Sequence, residues 1–259
     1  MSIIEAVILG IIQGFSEFLP ISSSGHLAVG KHFFGIDEGG MTFVIVVHLG
    51  TLLPVLLIFR KDIWSILRRP FQKLTALLIV GTLPAVVVAL FFSDFVETMF
   101  TTINVVAVCF IVTGIVLMLS DKISKNTRTM EGMGFKDALL IGCAQGVAVM
   151  PGISRSGSTI TASLARGLNR ESAARFAFLM SIPAILGAAV LEVAHIATGR
   201  VMVEELDLIV LGAGFIASAL SGYLAINWLL AIVRRAKLKY FSFYLFALAT
   251  FILLWTNFA

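Results

Sequence analysis

Six runs of apolar residues, each close to the length that crosses a lipid bilayer, constrain this chain more than any other feature. The runs are Met41–Phe59, Leu74–Phe92, Ile103–Ser120, Ala173–Thr198, Leu208–Val233 and Phe241–Trp255. A helix needs about 20 apolar residues to cross the hydrocarbon core. Charged residues make up only 13% of the chain, against about 25% in soluble domains. The sequence therefore predicts an all-α integral membrane protein with a single membrane domain over residues 1–259.

Two polar segments interrupt this apolar pattern and resemble one another. Residues 13–26 read QGFSEFLPISSSGH, and residues 145–159 read QGVAVMPGISRSGST. A shift of 132 positions aligns Gln13 with Gln145, and it aligns the Ser-x-Ser-Gly that begins at Ser22 with the one that begins at Ser154. The chain is therefore predicted to be a repeat of two halves, about 1–121 and 133–259, linked by the basic loop 122–136.

Each polar segment lies between two apolar limbs that are too short to span a membrane. The limbs of the first segment are Ile3–Ile12 and Leu27–Ile36, and those of the second fall within residues 137–166. A limb of about 10 residues is roughly 15 Å long as a helix, which is about half of a bilayer core. Each segment is therefore either one broken span or a re-entrant hairpin.

The distribution of Lys and Arg decides between these alternatives. Basic residues follow the first, third and fifth runs and precede the fourth, and they are Arg60, Lys61, Arg68, Arg69, Lys73, Lys122, Lys125, Lys136, Arg128, Arg166, Arg170, Arg175, Arg234, Arg235, Lys237 and Lys239. The positive-inside rule places all four loops in the cytoplasm and both termini outside. The second segment then enters and leaves from the cytoplasm, and its counterpart does so from the outside. The predicted fold is six transmembrane helices plus two re-entrant helical hairpins in an inverted-topology repeat.

The polar segments also carry ionisable groups that are costly inside a membrane. Glu17 and His26 lie in the first segment, and Arg155 lies in the second. Such groups at membrane depth usually mark a functional site. A Gly/Ser-rich turn before a helix presents backbone N–H groups to an anion, and arginine adds a planar fork suited to phosphate oxygens. A hydroxyl beside an imidazole and a carboxylate supplies a nucleophile and a base. We therefore predict one phosphate-handling site where the two segments meet.

Both segments resemble the hallmark motifs of the undecaprenyl-diphosphate phosphatase family of the bacitracin-resistance type, and the likeness extends over essentially the whole chain. The family has a glutamate or glutamine, three residues and a glutamate, matched by Gln13 and Glu17, and then a Ser-Ser-(Thr or Ser)-Gly-His turn at residues 22–26. Its Pro-Gly-x-Ser-Arg-Ser-Gly element is matched at residues 151–157, with Thr159 soon after.

This resemblance implies the hydrolysis of a polyprenyl diphosphate to the monophosphate and inorganic phosphate. It implies a multi-pass protein of the bacterial inner membrane with a site that opens outward. The reaction recycles the lipid carrier of peptidoglycan synthesis and so confers bacitracin resistance. The resemblance also implies a divalent cation, Mg²⁺ or Ca²⁺.

The resemblance and the composition of the two segments together suggest residue roles. The residues assigned to catalysis are Glu17, Ser23, His26 and Arg155. The hydroxyls expected to donate to phosphate oxygens belong to Ser22, Ser24, Ser154, Ser156 and Thr159. Either Ser23 or His26 attacks phosphorus, or His26 relays the proton, while Glu17 orients His26, binds the metal or acts as a base. Because Gln13 replaces a frequent glutamate, the metal ligands would be Glu17 and Gln13 with substrate oxygens and water.

Several of these residues also have simpler interpretations. Ser22–Ser24 suit an N-cap cluster, because serine is a preferred capping residue. Arg155 suits a snorkelling anchor at the cytoplasmic interface, and His26 suits a hydrogen-bonded histidine of the core. His48, inside the first apolar run, is expected to have a packing role or to support the site from behind.

A second class of function is equally compatible with an inverted repeat. Secondary transporters and flippases of anionic lipids use this architecture, and a fold alone does not select a function. Release of phosphate by protein in detergent micelles, with no sealed compartment, would require an enzyme. The expected partners are the lipid diphosphate and membrane lipids. The basic loops are a topology signal and predict no nucleic-acid partner, and the sequence is compatible with a homodimer.

Overall fold

A computed structural model describes residues 1–35, 41–100, 102–123, 127–198, 207–234 and 238–258. It is 85% helical, and the described residues include no strand. The helices are α1 (Ile3–Phe18), α2 (Ser23–Phe34), α3 (Met41–Ile58), α4 (Arg60–Arg68), α5 (Lys73–Phe91), α6 (Ser93–Phe100), α7 (Ile103–Ser120), α8 (Phe135–Val147), α9 (Arg155–Ala165), α10 (Arg170–Ala197), α11 (Leu208–Arg234) and α12 (Lys239–Phe258), with a 3-10 turn at Met130–Gly132. Four residues named in the sequence predictions, Ile36, Lys125, Arg235 and Lys237, lie outside the described residues.

Five helices among the described residues are long and apolar enough to cross a membrane. They are α5, α7, α10, α11 and α12. Helices α3 and α4 pass the same test only as a pair, and the chain bends by 84° between them. The number of candidate spans is therefore five or six, which confirms the prediction of an all-α integral membrane protein.

Two stretches that the sequence analysis places in loops are short helices. Residues 60–68 form α4, in which Trp64 and Leu67 are exposed and the Arg68 guanidinium lies 4.8 Å from the Trp64 ring centroid. A helix with exposed apolar residues and basic residues suits the membrane–water interface. The second such stretch is α6. Basic composition marks residues 60–68 as interfacial, but it does not distinguish a loop from an amphipathic helix.

The two polar segments are more helical than their composition suggests. Helix α1 continues through Gln13 and Glu17 to Phe18, and α2 begins at Ser23, so only residues 19–22 are non-helical. In the second segment α8 ends at Val147 and α9 begins at Arg155. The apolar limbs therefore underestimate the lengths of the helices. A helix satisfies its own backbone hydrogen bonds, so it can continue into polar residues inside the membrane. The four helices of these segments have 16, 12, 13 and 11 residues.

Helix pairs pack in a pattern that is preserved when the two halves are exchanged. Helix α1 lies against α11, and its counterpart α8 lies against α5, while α7 packs on its own counterpart α12. A Cβ atom added to Gly10 would lie 2.6 Å from the carbonyl oxygen of Gly214. A Cβ added to Gly142, the counterpart of Gly10, would overlap the carbonyl oxygen of Gly81. Each half thus sets its short first helix on a long helix of the other half at a pair of glycines.

We expect Gly142→Ala to lower the unfolding temperature of the purified protein in detergent. Its Cβ would overlap the Gly81 carbonyl, so α5 and α8 would have to separate, and such overpacking costs about 1–3 kcal/mol. Gly212→Ala is the matched control, since its Cβ would meet no atom within 4 Å. Alanine favours a helix over glycine by about 1 kcal/mol, so the control should unfold at the wild-type temperature or above it. Equal unfolding temperatures for the two variants would contradict this close approach.

Polar contacts gather the basic helix ends on one side of the molecule. Asp121, at the end of α7, accepts a hydrogen bond from the backbone N–H of Lys239 at 2.9 Å and lies 3.4 Å from the Arg170 guanidinium. Asp62 of α4 pairs with Arg175 of α10. The end of α7 and the starts of α10 and α12, which the charge pattern assigns to one face, therefore lie together.

Candidate active site

Helices α8 and α9 are tied together at their open ends, away from the turn that joins them. Asp137, in the first turn of α8, accepts a hydrogen bond from Nε of Arg166 at 2.8 Å, directly after α9. It also accepts from Arg128 at 2.5 Å and from the N–H of Gly134 at 2.9 Å. Burial opposes the charge of this carboxylate, but the three donors hold the pKa of Asp137 at about 2. The two helices thus form a hairpin whose far tip is residues 148–154.

Acid is expected to weaken this anchor. A carboxyl group with a lowered pKa stabilises the fold above its unfolded pKa of about 3.9, and the stabilisation is lost as the pH falls towards 2. Thermal unfolding of the wild type and of Asp137→Asn should therefore differ most above pH 4 and converge towards pH 2. A difference that stays constant between pH 5 and pH 2 would show that the charge of Asp137 has no part in it.

The first tip, residues 19–22 between α1 and α2, places a serine in an unusual backbone conformation. Ser22 is the one non-glycine residue with positive φ among the described residues, at 71°, and it is the N-cap of α2. Its hydroxyl accepts a hydrogen bond from the N–H of Gly25 at 3.4 Å and lies 3.3 Å from the hydroxyl of Ser24. A positive φ in a residue with a Cβ is a strained conformation that often accompanies a functional site. The N-cap interpretation of Ser22 is therefore compatible with a position at the site.

The second tip repeats these contacts one for one. The hydroxyl of Ser154 accepts from the N–H of Gly157 at 3.1 Å and lies 3.2 Å from the hydroxyl of Ser156. Thr113 of α7 holds this tip from behind, since it donates to the Gly152 carbonyl at 2.9 Å and accepts from the N–H of Ser154 at 3.1 Å. Ser22 and Ser154, which the 132-residue shift aligns, thus cap their helices through the same contacts.

The two tips meet through Glu17. One carboxylate oxygen accepts a hydrogen bond from Nη2 of Arg155 at 2.5 Å. The other accepts from the hydroxyl of Ser23 at 2.6 Å and from Nε2 of Gln13 at 3.0 Å. Glu17 is 7% exposed. The structure therefore brings together four residues from the two segments in one buried cluster, and Arg155 is paired with a carboxylate instead of anchoring at an interface.

His26 points away from this carboxylate. Its Nδ1 lies 2.8 Å from the carbonyl oxygen of Ser22, and its Nε2 lies 2.8 Å from the hydroxyl of Tyr244 on α12. The imidazole closest to Glu17 is instead that of His48, whose Nε2 lies 3.6 Å from a Glu17 oxygen while its Nδ1 donates to the carbonyl of Val44. The sequence analysis expects Glu17 to orient His26, and the structure differs. His26 lies in the first turn of α2, and from there its side chain turns towards α12.

Most of the predicted phosphate-binding hydroxyls are occupied by the protein backbone. Ser156 donates to the carbonyl of Leu19 at 3.0 Å, and Thr159 donates to the carbonyl of the first residue of α9 at 2.8 Å. Both side chains are buried, as are the two capping serines. Ser24, by contrast, is half-buried. These hydroxyls shape the tips in the structure, and their binding of phosphate stays a prediction.

The donors available to a divalent cation are oxygen atoms. Oε1 of Gln13 is buried and has no hydrogen-bond partner among the described residues, and it belongs to the residue that touches Glu17. Hard cations such as Mg²⁺ and Ca²⁺ prefer carboxylate and amide oxygens. The described residues include no cluster of three or more His, Cys, Asp or Glu side chains that would hold a metal alone. Gln13 and Glu17 therefore fit a cation whose remaining ligands come from substrate and water.

Two residues near the site are absent from the sequence predictions. Thr113 and Tyr244 lie within long apolar helices, 39 residues or more from their partners in the tips. Threonine and tyrosine are also common in membrane helices that carry no functional site, so no sequence signal marks either residue. His48 did carry a signal, because it is an ionisable group inside an apolar run.

Comparison with known proteins identifies the family of this chain. Residues 6–251 match the family model described as bacitracin resistance protein BacA. A protein of Carboxydothermus hydrogenoformans named undecaprenyl-diphosphatase is 45% identical over 98% of this chain and 97% of its own length. Undecaprenyl-diphosphatase 4 of Bacillus thuringiensis is 44% identical over the same shares, and an undecaprenyl-diphosphatase of Alkaliphilus metalliredigens is 39% identical over 99% of each chain. This chain belongs to the bacitracin resistance protein BacA family.

Proposed function

We propose that this protein hydrolyses undecaprenyl diphosphate to undecaprenyl monophosphate and inorganic phosphate, and so recycles the carrier lipid of peptidoglycan synthesis. The names of its relatives support this substrate. The observation that carries the proposal is the contact of Glu17 with both Ser23 and Arg155. It joins a base, a nucleophile and a phosphate-binding guanidinium group in a single buried cluster.

Two helix N-termini support the binding of the diphosphate. The first N–H groups of a helix have no partner within the helix, and the helix dipole favours an anion there. Helices α2 and α9 begin at Ser23 and Arg155, and the Cβ that Gly25 lacks would lie 2.9 Å from the Cα of Gly152. The two N-termini thus converge on one place. The diphosphate binds between them, and Arg155 leaves part of its contact with Glu17 to hold the phosphate oxygens.

The hydroxyl of Ser23 performs the attack. Its oxygen forms a bond to the terminal phosphorus while the bond from phosphorus to the bridging oxygen breaks. The serine proton passes to Glu17, and the lipid monophosphate leaves with the electron pair of the broken bond. Water then attacks the phosphoserine, inorganic phosphate departs, and Ser23 recovers a proton through Glu17. His26 is the alternative nucleophile, but its Nε2 is covered by Tyr244.

A divalent cation bound at Gln13 and Glu17 would neutralise charge on the diphosphate oxygens. We expect EDTA to abolish most phosphate release and Mg²⁺ or Ca²⁺ to restore it. Gln13→Met removes the free amide oxygen at similar volume, so it should raise the cation concentration for half-maximal activity by about tenfold or more. Full activity in EDTA, or an unchanged cation requirement in Gln13→Met, would contradict this site.

The proposed arrangement in the membrane is an inverted repeat. Asp137 and Arg166 hold the open ends of the α8–α9 hairpin together, and Met1 and Phe34 pack in one cluster at the open end of α1 and α2. We place the first hairpin in the outer leaflet and the second in the inner leaflet of the bacterial inner membrane. The termini then lie outside, and the site opens outward. Dimerisation stays a prediction.

The discriminating experiment uses purified protein in detergent micelles, where no compartment exists. Wild-type protein should release inorganic phosphate from undecaprenyl diphosphate, and Arg155→Ala should lose most of this activity, because a phosphate-binding arginine contributes about 10³–10⁵ to phosphoryl transfer. A transporter or flippase of anionic lipids would release none. The absence of phosphate release from the folded wild type would overturn the proposed function.

A further inference from the structure

A groove lies beside the first tip, between α11 and α12. Its volume is about 520 Å³, and its lining includes Leu19 and Ile21 of the tip, Trp228 of α11, and Tyr240, Phe241 and Tyr244 of α12. Trp228 and Phe241 pack edge to face, with ring centroids 6.3 Å apart. The lining side chains are aromatic and aliphatic, and their polar atoms are the tyrosine hydroxyls and the indole N–H of Trp228. A groove of this kind takes an apolar ligand.

Tyr244 both lines the groove and contacts His26 of the first polar segment. Its ring lines the groove and stacks on the imidazole of His26, with centroids 5.7 Å apart and planes at 13°. The carbonyl oxygen of Ser22 can only accept a hydrogen bond, so Nδ1 of His26 donates to it. Nε2 of a neutral imidazole is then an acceptor, and the hydroxyl of Tyr244 donates to it at 2.8 Å. The Ser22 carbonyl thus sets the tautomer of His26, and Tyr244 holds the orientation of the imidazole from its other nitrogen.

The groove is also continuous with the phosphate site along the backbone. Leu19 and Ile21 line it with their side chains. The carbonyl oxygen of Leu19 accepts a hydrogen bond from Ser156 at 3.0 Å, on the first turn of α9. One short stretch of chain is therefore a wall of the groove on one side and part of the phosphate site on the other. A ligand with a diphosphate head and an apolar chain fits across this stretch.

We propose that this groove binds the isoprene units next to the diphosphate of the substrate, and that Tyr244 is a positioning residue that holds His26 while it contacts the chain. The proposal rests on the proposed function and names the site of the lipid chain. The volume suits a few isoprene units, so the rest of a long chain lies among the membrane lipids. Binding of the chain and orientation of the imidazole are then linked through one side chain.

The test compares the steady-state kinetics of two soluble probes in detergent, farnesyl diphosphate and dimethylallyl diphosphate, which differ only in chain length. Trp228→Ala should raise KM for farnesyl diphosphate about fivefold to tenfold, because apolar contact is lost, with a smaller effect on the single-unit probe. Ile232→Trp fills the groove one helical turn further along α11 and should shift the ratio of the two KM values in the same direction. Retained gel-filtration profiles show that each variant is folded.

Tyr244→Phe separates the two roles of Tyr244, because it keeps the ring and removes the hydroxyl. The hydroxyl of Tyr244 holds His26, and His26 holds the Ser22 carbonyl next to Ser23. The variant should therefore loosen the turn that carries the nucleophile and lower kcat about tenfold for both probes, as expected for one lost hydrogen bond. It should leave the ratio of their KM values unchanged. Tyr223→Phe on α11 is the matched control, since Tyr223 is half-exposed and lies outside the groove lining; both constants should stay at wild-type values.

Two results would overturn the proposal. An unchanged KM ratio in both Trp228→Ala and Ile232→Trp would show that the groove holds ordinary membrane lipid. An unchanged kcat in Tyr244→Phe would remove the positioning role. Both results differ from a failure of the proposed function, in which wild-type protein would release phosphate from neither probe nor from undecaprenyl diphosphate.

Discussion

Replacement of Glu17 by glutamine is expected to lower phosphate release from undecaprenyl diphosphate by about 10²–10⁴, the usual contribution of a general base. Glutamine has nearly the same shape and can still accept a hydrogen bond from Ser23, but it cannot take up the proton. It also removes the negative charge that faces Arg155 at 2.5 Å. The expected defect therefore lies mainly in kcat, measured as inorganic phosphate released by protein in detergent micelles.

Glu5→Gln provides the matched control for this change. Glu5 lies on the same helix as Glu17, where it completes the capping box with Ser2, and it is remote from the tips. We expect its activity to stay within about twofold of wild type, because a cap contributes only about 1 kcal/mol to stability. Folded Glu17→Gln protein with activity close to that of Glu5→Gln would show that Glu17 is not the base.

Much of the site was predictable because an ionisable group in an apolar chain has few explanations. Glu17 and Arg155 occur in segments that the 132-residue repeat marks as equivalent, and the structure places them in direct contact. The repeat itself predicts more than the contact. The hydroxyls of Ser22 and Ser154 cap their helices through the same contacts, and Gly10 and Gly142 each approach the backbone of a helix of the other half.

The rest depended on geometry that has no local sequence signal. Whether an imidazole faces a carboxylate depends on the turn in which it lies, so the sequence pairs Glu17 with His26 while the structure pairs it with His48. Tyr244 is 218 residues from its partner and lies among other aromatic residues. Likewise, a basic stretch such as residues 60–68 is typical of an interface in either a loop or a helix. Side-chain direction and long-range contacts therefore set the limit of prediction.

Ser23→Ala is expected to lower phosphate release by about 10³-fold or more. Loss of a nucleophile exceeds the loss of one stabilising donor, which costs about 10²–10³. The prediction depends on the 2.6 Å hydrogen bond from Ser23 to Glu17, which already directs the serine proton to its acceptor. Ser24→Ala is the graded comparison, because Ser24 is adjacent and its hydroxyl lies 3.3 Å from that of Ser22. We expect a loss of about tenfold there, as for one hydrogen bond to phosphate.

Covalent labelling separates Ser23 from His26 as the attacking residue. Rapid acid quench of wild-type protein with a substrate labelled in its terminal phosphate should give acid-stable label on Ser23, since a phosphoserine survives acid and a phosphohistidine does not. The His26→Gln variant should still become labelled on Ser23. In the wild type the His26 imidazole donates to the Ser22 carbonyl and faces Tyr244, and so it takes no part in the Ser23–Glu17 pair. Label that is lost in acid and absent from His26→Gln would instead make His26 the nucleophile and require Tyr244 to leave Nε2 before each turnover.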